Sequence, residues 1–258
     1  MDKFKYIYGP VPSWRLGRSL GIDLLSSQSK ICNFDCVYCQ LGRYKPCAYK
    51  RQVYVPTEEI IRELNLISSN TRIDYITFSG TGEATLAGNL AQTILAVKDF
   101  RKEPVAVLTN AGLINSAEII SDLCLADFVI AKLDACSQNA MVEINHPAEQ
   151  VKFRDILHGL KKFRSIYKGK MALQIMFLPQ NKANAAKIAE LAKDIEPDEI
   201  QINTPLRPCA CSPLSETEIK EIKKIFTGLN VISVYEKPVT PVQPISGPDT
   251  LKRRGKIY

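Results

Sequence analysis

Three cysteines lie close together near the start of the chain, at Cys32, Cys36 and Cys39. Thiolates at this C-x-x-x-C-x-x-C spacing can converge on one soft metal centre, because the short loops between them let the sulfurs point inward. A closed zinc site or an ordinary electron-transfer cluster takes four protein ligands. Three thiolates therefore favour a 4Fe-4S cluster with one open iron. The alternative is a chance grouping of core cysteines, a residue type that is often buried.

The stretch that carries these cysteines, residues 32–39 with the sequence CNFDCVYC, resembles the cluster-binding loop of the radical S-adenosylmethionine (SAM) superfamily. The likeness includes the aromatic Tyr38 before the last cysteine. Residues 8–21, YGPVPSWRLGRSLG, resemble the opening of a branch of Fe-S oxidoreductases related to the tRNA wyosine-forming radical SAM enzymes. The resemblance runs from about Tyr6 to the basic C-terminal tail and covers nearly the whole chain.

The resemblance implies a radical SAM enzyme. In that family the open iron of the 4Fe-4S cluster binds the amino and carboxylate groups of SAM. The reduced cluster then cleaves SAM to methionine and a 5'-deoxyadenosyl radical, which abstracts hydrogen from the substrate. The protein positions the substrate and excludes water and oxygen, while the cofactors carry the hard chemistry. An external one-electron reductant, such as flavodoxin or ferredoxin, is an implied partner.

Glycines and polar residues that follow predicted strands supply candidate SAM contacts. Residues 80–86, GTGEATL, resemble the family's glycine-glycine-glutamate motif, with Thr81 and Ala84 in place of the usual Gly and Pro. Glycines let the backbone approach a ligand, and exposed carbonyls accept bonds from an ammonium group. Ordinary turn chemistry also favours Asn and Asp at strand ends. By resemblance, the cofactor-binding candidates are Tyr38, Gly80, Thr81, Gly82, Glu83, Thr109, Asn110, Lys132 and Asp134.

A second group of cysteines includes the pair Cys209 and Cys211, which follows the last well-defined predicted strand. In an extended segment, residues two apart project to the same side. Together with Cys47 they could hold a second iron-sulfur cluster, also with an open iron. The alternatives are a single redox or radical-relay thiol and inert cysteines. Cys124 and Cys136 have the surroundings of structural residues.

Strand-like and helix-like segments alternate along the chain. Repeated β-then-α units imply a parallel sheet with right-handed crossovers. About six units, with functional residues after the strands, predict an α/β fold, an incomplete (β/α)6 TIM-type barrel of the radical SAM kind. The predicted strands are residues 19–25, 74–79, 104–108, 127–133, 171–178, 199–203 and 231–235. The predicted helices are residues 57–68, 89–100, 117–125, 151–167, 183–193 and 215–226.

The domain prediction is a single radical SAM domain over residues 1–258. It comprises an N-terminal arm (1–18), the partial barrel (19–235) and a Pro-rich, basic C-terminal extension (236–258). We expect the proline-rich part of the extension to be extended and to close the open side or the bottom of the barrel. No apolar run is long enough to cross a bilayer and no signal sequence is evident. Eight cysteines without a secretion signal favour the cytoplasm.

Charge and composition bear on the substrate. The net charge of +7 is compatible with a nucleic-acid or other anionic substrate, although an ordinary soluble surface carries similar charge. The basic, aromatic loop 40–54 could stack on bases, or it could be a solvated cover for the cluster. Arg15 and Arg18 could pair with a carboxylate or phosphate. Trp14 stands where the family branch is expected to have another arginine, which weakens a phosphate role for the arm.

Three functions remain open on the sequence alone. The first is a radical SAM enzyme that modifies tRNA. The second is an enzyme of the same superfamily that modifies a peptide or protein, for example by generating a glycyl radical on a partner. The third is a non-catalytic Fe-S or zinc binding protein that uses the cysteines structurally.

Overall fold

One curved sheet of eight strands forms the centre of the protein, whose computed structural model describes residues 4–27, 29–42, 50–236 and 240–254. The strands lie side by side in chain order. The first two are antiparallel and every later pair is parallel. The strands are β1 (Ile7–Ser13), β2 (Gly17–Ile22), β3 (Tyr75–Phe78), β4 (Val105–Thr109), β5 (Phe128–Lys132), β6 (Lys170–Met176), β7 (Glu199–Asn203) and β8 (Val231–Ser233).

Six crossovers join the seven parallel strands, and each crossover contains at least one helix. This arrangement confirms the predicted α/β fold, an incomplete barrel of about six β/α units. None of the helices in the described ranges combines the length and apolar character that crossing a bilayer demands. The helices are α1 (Thr57–Leu64), α2 (Leu90–Phe100), α3 (Ala117–Leu123), α4 (Gln138–Asn145), α5 (Phe153–Ile166), α6 (Ala185–Ile195), α7 (Glu216–Ile225) and α8 (Gly247–Arg254).

The predicted N-terminal arm contains the edge strand β1. Prolines cannot donate to a sheet ladder, so a segment with Pro10 and Pro12 does not predict a strand, yet an edge position tolerates both. The predicted first strand, residues 19–25, corresponds to β2 but begins two residues earlier. It ends before Asp23, whose Oδ1 accepts a hydrogen bond from the Leu25 N–H at 3.1 Å and turns the chain.

The C-terminal extension contains a helix that the sequence analysis did not predict. The prediction of extended chain through Pro248 was wrong from Gly247 onward, because α8 begins there. A proline in the first turn costs a helix no hydrogen bond, so the Gly-Pro pair opens α8 instead of preventing it. This segment reaches β1: the Ile245 N–H donates to the Gly9 carbonyl at 2.6 Å, and the Gly9 N–H donates to Thr250 Oγ1 at 3.1 Å. The chain thus passes from the β8 edge of the sheet to the β1 edge.

A buried carboxylate anchors the start of the chain to the first helix. Glu63 on α1 is 4% exposed and accepts backbone N–H bonds from Lys5 at 2.7 Å, Tyr6 at 3.0 Å and Ile7 at 2.9 Å. Charge-assisted bonds of this kind are stronger than neutral ones. Glu63 therefore fixes the entry of β1 into the sheet.

Replacing Glu63 by alanine is expected to lower the free energy of unfolding by about 3 kcal/mol, because three backbone N–H groups lose their acceptor. Urea denaturation measures the effect. Glu58→Ala, at an exposed position of the same helix, is the matched control and should change stability by less than about 0.5 kcal/mol. Equal midpoints for the two variants would contradict the anchoring role.

The two ends of the half-barrel interior differ in character. Near the amino ends of the strands, Leu16 packs against Ala106, Phe128, Ile130 and Ala172 and closes the interior with apolar side chains. At the carboxyl ends the strands lead into polar loops. The open, polar end is where enzymes with parallel barrels place their chemistry.

Candidate active site

A cavity of about 510 Å³ occupies the interior of the half-barrel and reaches the residues that follow the carboxyl ends of the strands. The sulfur-bearing residues Cys32, Cys36 and Cys39 all line it. So do residues that follow β3, β4 and β5, together with residues from the β1–β2 turn and the segment after β7. The volume is typical of small-molecule and cofactor sites.

The cysteine loop is held on one side by the segment after β3. The Ile31 N–H donates to the Thr81 carbonyl at 3.2 Å, and the Glu83 N–H donates to the Ile31 carbonyl at 2.9 Å. Ile31 and Gly82 thereby form a parallel β-bridge immediately before Cys32. A Cβ on Gly82 would lie 1.8 Å from the Ile31 carbonyl oxygen, so only glycine permits this approach.

The other side of the cysteine loop is held by the end of α4. The Val37 N–H donates to the Ile144 carbonyl at 2.9 Å, and the Asp35 N–H donates to the Asn145 carbonyl at 3.0 Å. The next residue, His146, ends α4 in the left-handed conformation with φ 42°. The loop is therefore fixed between β3 and α4 by backbone bonds.

The three thiols fit a soft metal cluster in their chemistry. Cys32 Sγ accepts a bond from the Phe34 N–H at 3.4 Å, and Cys36 Sγ accepts one from Asn145 Nδ2 at 3.4 Å. Such donors suit ligating thiolates. Within the described residues, no three His, Cys, Asp or Glu side chains converge tightly enough to hold a single metal ion. The fit to a cluster therefore rests on the soft three-thiol donor set on one cavity wall.

Burial governs the protonation of these thiols. Desolvation raises the pKa of Cys32, and the nearby carboxylate of Glu83 raises it further. Desolvation likewise raises the pKa of Cys36, with Asp134 as the second cause. Free Cys32 and Cys36 are therefore protonated at neutral pH, and binding of a cationic metal centre must release their protons.

Lys30 is a charged neighbour of the thiols, and it was not among the candidate residues selected from the sequence. Its side chain is 6% exposed, and its Nζ lies 3.5 Å from Asp35 Oδ1. Burial lowers the pKa of Lys30, but Cys39, Cys32 and Cys36, together with Asp35, outweigh burial and raise the pKa overall. A buried positive charge therefore lies beside the three-thiol set.

Glu83, a predicted SAM contact, has both carboxylate oxygens occupied by protein donors. Thr85 Oγ1 and Thr109 Oγ1 donate to Oε1 at 2.7 and 2.6 Å, and the Asn110 N–H donates to Oε2 at 2.6 Å. Burial raises the pKa of Glu83, although these hydrogen bonds oppose the rise. The carboxylate ties the segment after β3 to the end of β4 and so positions both.

Asp134, another predicted SAM contact, is similarly saturated. It is 3% exposed and accepts bonds from Tyr38 Oη, from Asn145 Nδ2 at 2.9 Å and from the Met176 N–H at 2.8 Å. Lys132 Nζ lies 3.3 Å from its Oδ1. Burial raises the pKa of Tyr38, and Asp134 adds to the effect. Asp134 therefore joins β5, β6, α4 and the cysteine loop.

The nine predicted cofactor-binding residues divide into those that line the cavity and those that do not. Seven of them line it together with the three thiols, and the exceptions are Thr81 and Asp134. The Thr81 hydroxyl turns away and donates to Asp23 Oδ2 at 2.9 Å. Asn110 reaches across to the cysteine loop, where its Nδ2 donates to Asn33 Oδ1 at 2.7 Å.

Of the residues predicted for a second cluster, Cys209 and Cys211 lie close together in the segment after β7. The Cys211 N–H donates to Cys209 Sγ at 3.4 Å, and both residues are half-buried. Neither cysteine lines the cavity. Cys47 lies outside the described residues.

A half-barrel of parallel strands with a three-thiol loop at its carboxyl end defines the class of this protein. The model of the Radical SAM superfamily matches residues 27–192, which is more than half of the chain. A UPF0026 protein from Synechocystis sp. is 40% identical over 255 residues, which cover 98% of this chain and 92% of that protein. The chain therefore belongs to the radical SAM superfamily, and it is an enzyme of the radical SAM oxidoreductase kind.

Solved structures show the same fold at low sequence identity. The crystal structure of Streptococcus suis SuiB bound to S-adenosylmethionine is 15% identical, with a TM-score of 0.62 over 80% of this chain. This chain covers 48% of SuiB, about half its length. The crystal structure of archaeal TYW1 is 16% identical, with a TM-score of 0.50 over 68% of this chain and 55% of that chain. The expected relation to the tRNA wyosine-forming enzymes is therefore a distant one in structure, and these comparisons do not conflict with it.

Proposed function

We propose that this protein binds a 4Fe-4S cluster through Cys32, Cys36 and Cys39, binds SAM in the adjoining cavity and cleaves it reductively to act on a substrate in the same cavity. The observation that carries the proposal is that the three thiols share one cavity with the strand-end residues of the glycine motif. When bound, the cluster supplies one electron and SAM supplies the radical that abstracts hydrogen from the substrate.

The residues around the cavity have distinct proposed roles. The backbone at Gly80 and Gly82, which both line the cavity, accepts the ammonium group of SAM, since exposed carbonyls accept bonds from such a group. Thr109, Asn110 and Lys132 line the cavity and present polar groups to the carboxylate or ribose. Glu83 and Asp134 act indirectly, because their carboxylates are already occupied by protein donors. Tyr38 is held by Asp134 and carries Lys132 over its ring at 5.0 Å.

The proposal is tested with anaerobically reconstituted protein, dithionite as the reductant and SAM. The expected result is a brown protein that absorbs near about 400 nm and forms methionine and 5'-deoxyadenosine in equal amounts. Chromatography of the products measures both. A colourless zinc protein, or a brown protein that leaves SAM intact, would support a non-catalytic protein and contradict the proposal.

The substrate class that we propose is tRNA. The resemblance to the wyosine-related branch and the net charge of +7 support it. The test is retention of tRNA by the purified protein, compared with retention of a mixture of unmodified peptides at the same ionic strength. Retention of peptides alone would favour the peptide- or protein-modifying alternative. A flavodoxin or ferredoxin in the cytoplasm is the proposed electron donor.

A second cluster at Cys47, Cys209 and Cys211 is also proposed. Its support is the proximity of Cys209 to Cys211 and their place after β7, two residues beyond the cavity-lining Arg207. The double substitution Cys209→Ala and Cys211→Ala is expected to lower iron from about eight to about four per chain after reconstitution. Iron and acid-labile sulfide assays measure the change. A wild-type content of about four irons, unchanged in the variant, would exclude this ligand set.

A further inference from the structure

The charged side chains that line the cavity are strongly biased towards positive charge. Arg15, Lys30, Lys132 and Arg207 are basic, and Glu83 is the acidic residue among the lining side chains of the described chain. The carboxylate of Glu83 is already taken up by donors on β4 and on the segment after β3. The cavity therefore presents positive charge to whatever enters it.

Two of the four cations have carboxylate partners and two do not. Lys30 pairs with Asp35, and Lys132 pairs with Asp134. Within the described residues, neither arginine has an acidic partner. The Nε of Arg15 is buried without a hydrogen-bond acceptor. Arg207 donates from Nη1 to the neutral amide oxygen of Gln40 at 2.6 Å. Among the described residues, no acidic side chain therefore balances the positive charge of either arginine.

The fold brings these arginines together from distant parts of the chain. Arg15 lies in the turn between β1 and β2, whereas Arg207 follows β7 near the opposite edge of the sheet. Burial lowers the pKa of Arg15 to about 10, and the charge of Arg207 contributes to the decrease. Both guanidinium groups remain charged at neutral pH. Two like charges in a partly desolvated cavity are costly unless an anion compensates them.

The chemistry of the guanidinium group defines the anion that fits. Its planar fork binds the paired oxygens of a carboxylate or a phosphate, and the fork is preorganised for that geometry. A neutral or cationic group placed between two arginines would leave the charge uncompensated. The arrangement therefore selects an oxyanion.

We propose that Arg15 and Arg207 bind an oxyanion of the substrate, a phosphate or carboxylate group, and thereby orient the substrate in the cavity beside the three-thiol loop. This inference rests on the proposed function in one respect, namely that the substrate enters this cavity. The glycine segment after β3 is assigned to SAM, which leaves the arginines for the second reactant.

The single tryptophan provides a local reporter of anion binding. Trp14 lines the same cavity, and the Arg15 Cζ lies 5.2 Å from the centre of its ring. Trp14 fluorescence and isothermal titration calorimetry can follow titration of the reconstituted protein with inorganic phosphate, pyrophosphate or succinate. Each titration is made both without SAM and in saturating SAM, and each is compared with sodium chloride at matched ionic strength, because salt screens weak charge interactions.

Arg15→Gln and Arg207→Gln test the assignment directly. Saturable binding is expected in the wild type, and each variant should raise the dissociation constant at least about tenfold. Arg154→Gln removes the same charge from a side chain that is 91% exposed and should bind as the wild type does. A preference for phosphate and pyrophosphate would indicate a nucleotide-like substrate, and a preference for succinate would indicate a carboxylic acid.

Three results would overturn the inference. The first is an anion response no larger than that of chloride. The second is an equal dissociation constant in Arg15→Gln, Arg207→Gln and Arg154→Gln. The third is loss of the response in saturating SAM together with weaker SAM binding by the arginine variants, which would assign the pair to the cofactor. SAM cleavage by the wild type, assayed separately without any anion, reports on the proposed function and distinguishes its failure from failure of the anion site.

Discussion

Replacing Cys32, Cys36 and Cys39 together by alanine is expected to remove about four irons per chain and to lower SAM cleavage by at least about 100-fold. The three thiols line one cavity and are the thiol donors among its described lining residues. Without them no thiol remains among the described residues that line the cavity, so the cluster is not held and an electron has no route to SAM. Iron and sulfide assays and product chromatography measure the two effects on the same preparation.

Each single alanine substitution is expected to abolish cleavage as the triple substitution does, because the remaining two thiols leave the cluster with a second open iron. Cys124→Ala is the matched control. Cys124 is an exposed, free cysteine at the end of α3, remote in sequence from the loop, and its replacement should preserve iron content and cleavage. Full SAM cleavage by the triple variant would refute the assignment of the cluster to these residues.

The architecture, and the meeting of most candidate residues at one cavity, were predictable because both depend on regular features of the sequence. Alternating segments specify a parallel sheet, and a parallel sheet brings its carboxyl ends together. The cysteine loop and the residues after β3, β4 and β5 therefore had to meet, although they span more than 100 positions. Seven of the nine predicted SAM contacts line the same cavity as the thiols for this reason.

The hydrogen-bond partners of the individual side chains could not be predicted from the sequence. Glu83 and Asp134 are saturated by donors from elements that are distant in sequence. Asn145 was not a candidate, yet it donates to both Cys36 and Asp134. It lies at the end of α4, which is not among the helices predicted from the sequence, so its place beside the thiols follows from the fold. Strand β1 was missed for a related reason, since its pairing with β2 is tertiary and its prolines argue locally against a strand.

The arginine pair illustrates the same limit on a functional feature. Nothing in the sequence distinguishes Arg15 or Arg207 from other arginines, and Arg18 looks equivalent to Arg15. In the fold, Arg18 forms a bidentate pair with Asp74, with its Nε 3.0 Å from Oδ2 and its Nη2 2.6 Å from Oδ1, and this contact lowers the pKa of Asp74. Arg15 has no such partner among the described residues, and it lines the same cavity as Arg207. The presence or absence of a counter-charge separates a structural arginine from a binding one.

Replacing Gly82 by alanine is expected to have the second largest effect, through geometry alone. The added Cβ would lie 1.8 Å from the Ile31 carbonyl oxygen and 2.7 Å from its carbonyl carbon, and both are backbone atoms without rotamers to change. The bridge between Ile31 and Gly82 must therefore open or shift, and Cys32 is the next residue along. We expect the iron that the loop of Cys32, Cys36 and Cys39 binds, about four atoms per chain, to fall at least about fourfold after reconstitution, since metal ligands tolerate displacements of only about 0.5 Å.

The control for this prediction is Gly247→Ala at the start of α8, where no heavy atom lies within 4 Å of the added Cβ. Far-UV circular dichroism and urea denaturation of both variants separate local displacement from global unfolding. Overpacking at Gly82 is expected to cost about 1–3 kcal/mol of folding free energy, which leaves a folded majority in a protein of ordinary stability. The folded Gly82→Ala protein should cleave SAM about 100-fold more slowly than the wild type, because a shift of about 1 Å in a reacting centre has that effect. Wild-type iron content in folded Gly82→Ala protein would show instead that the cysteine loop does not depend on its bridge to the glycine motif.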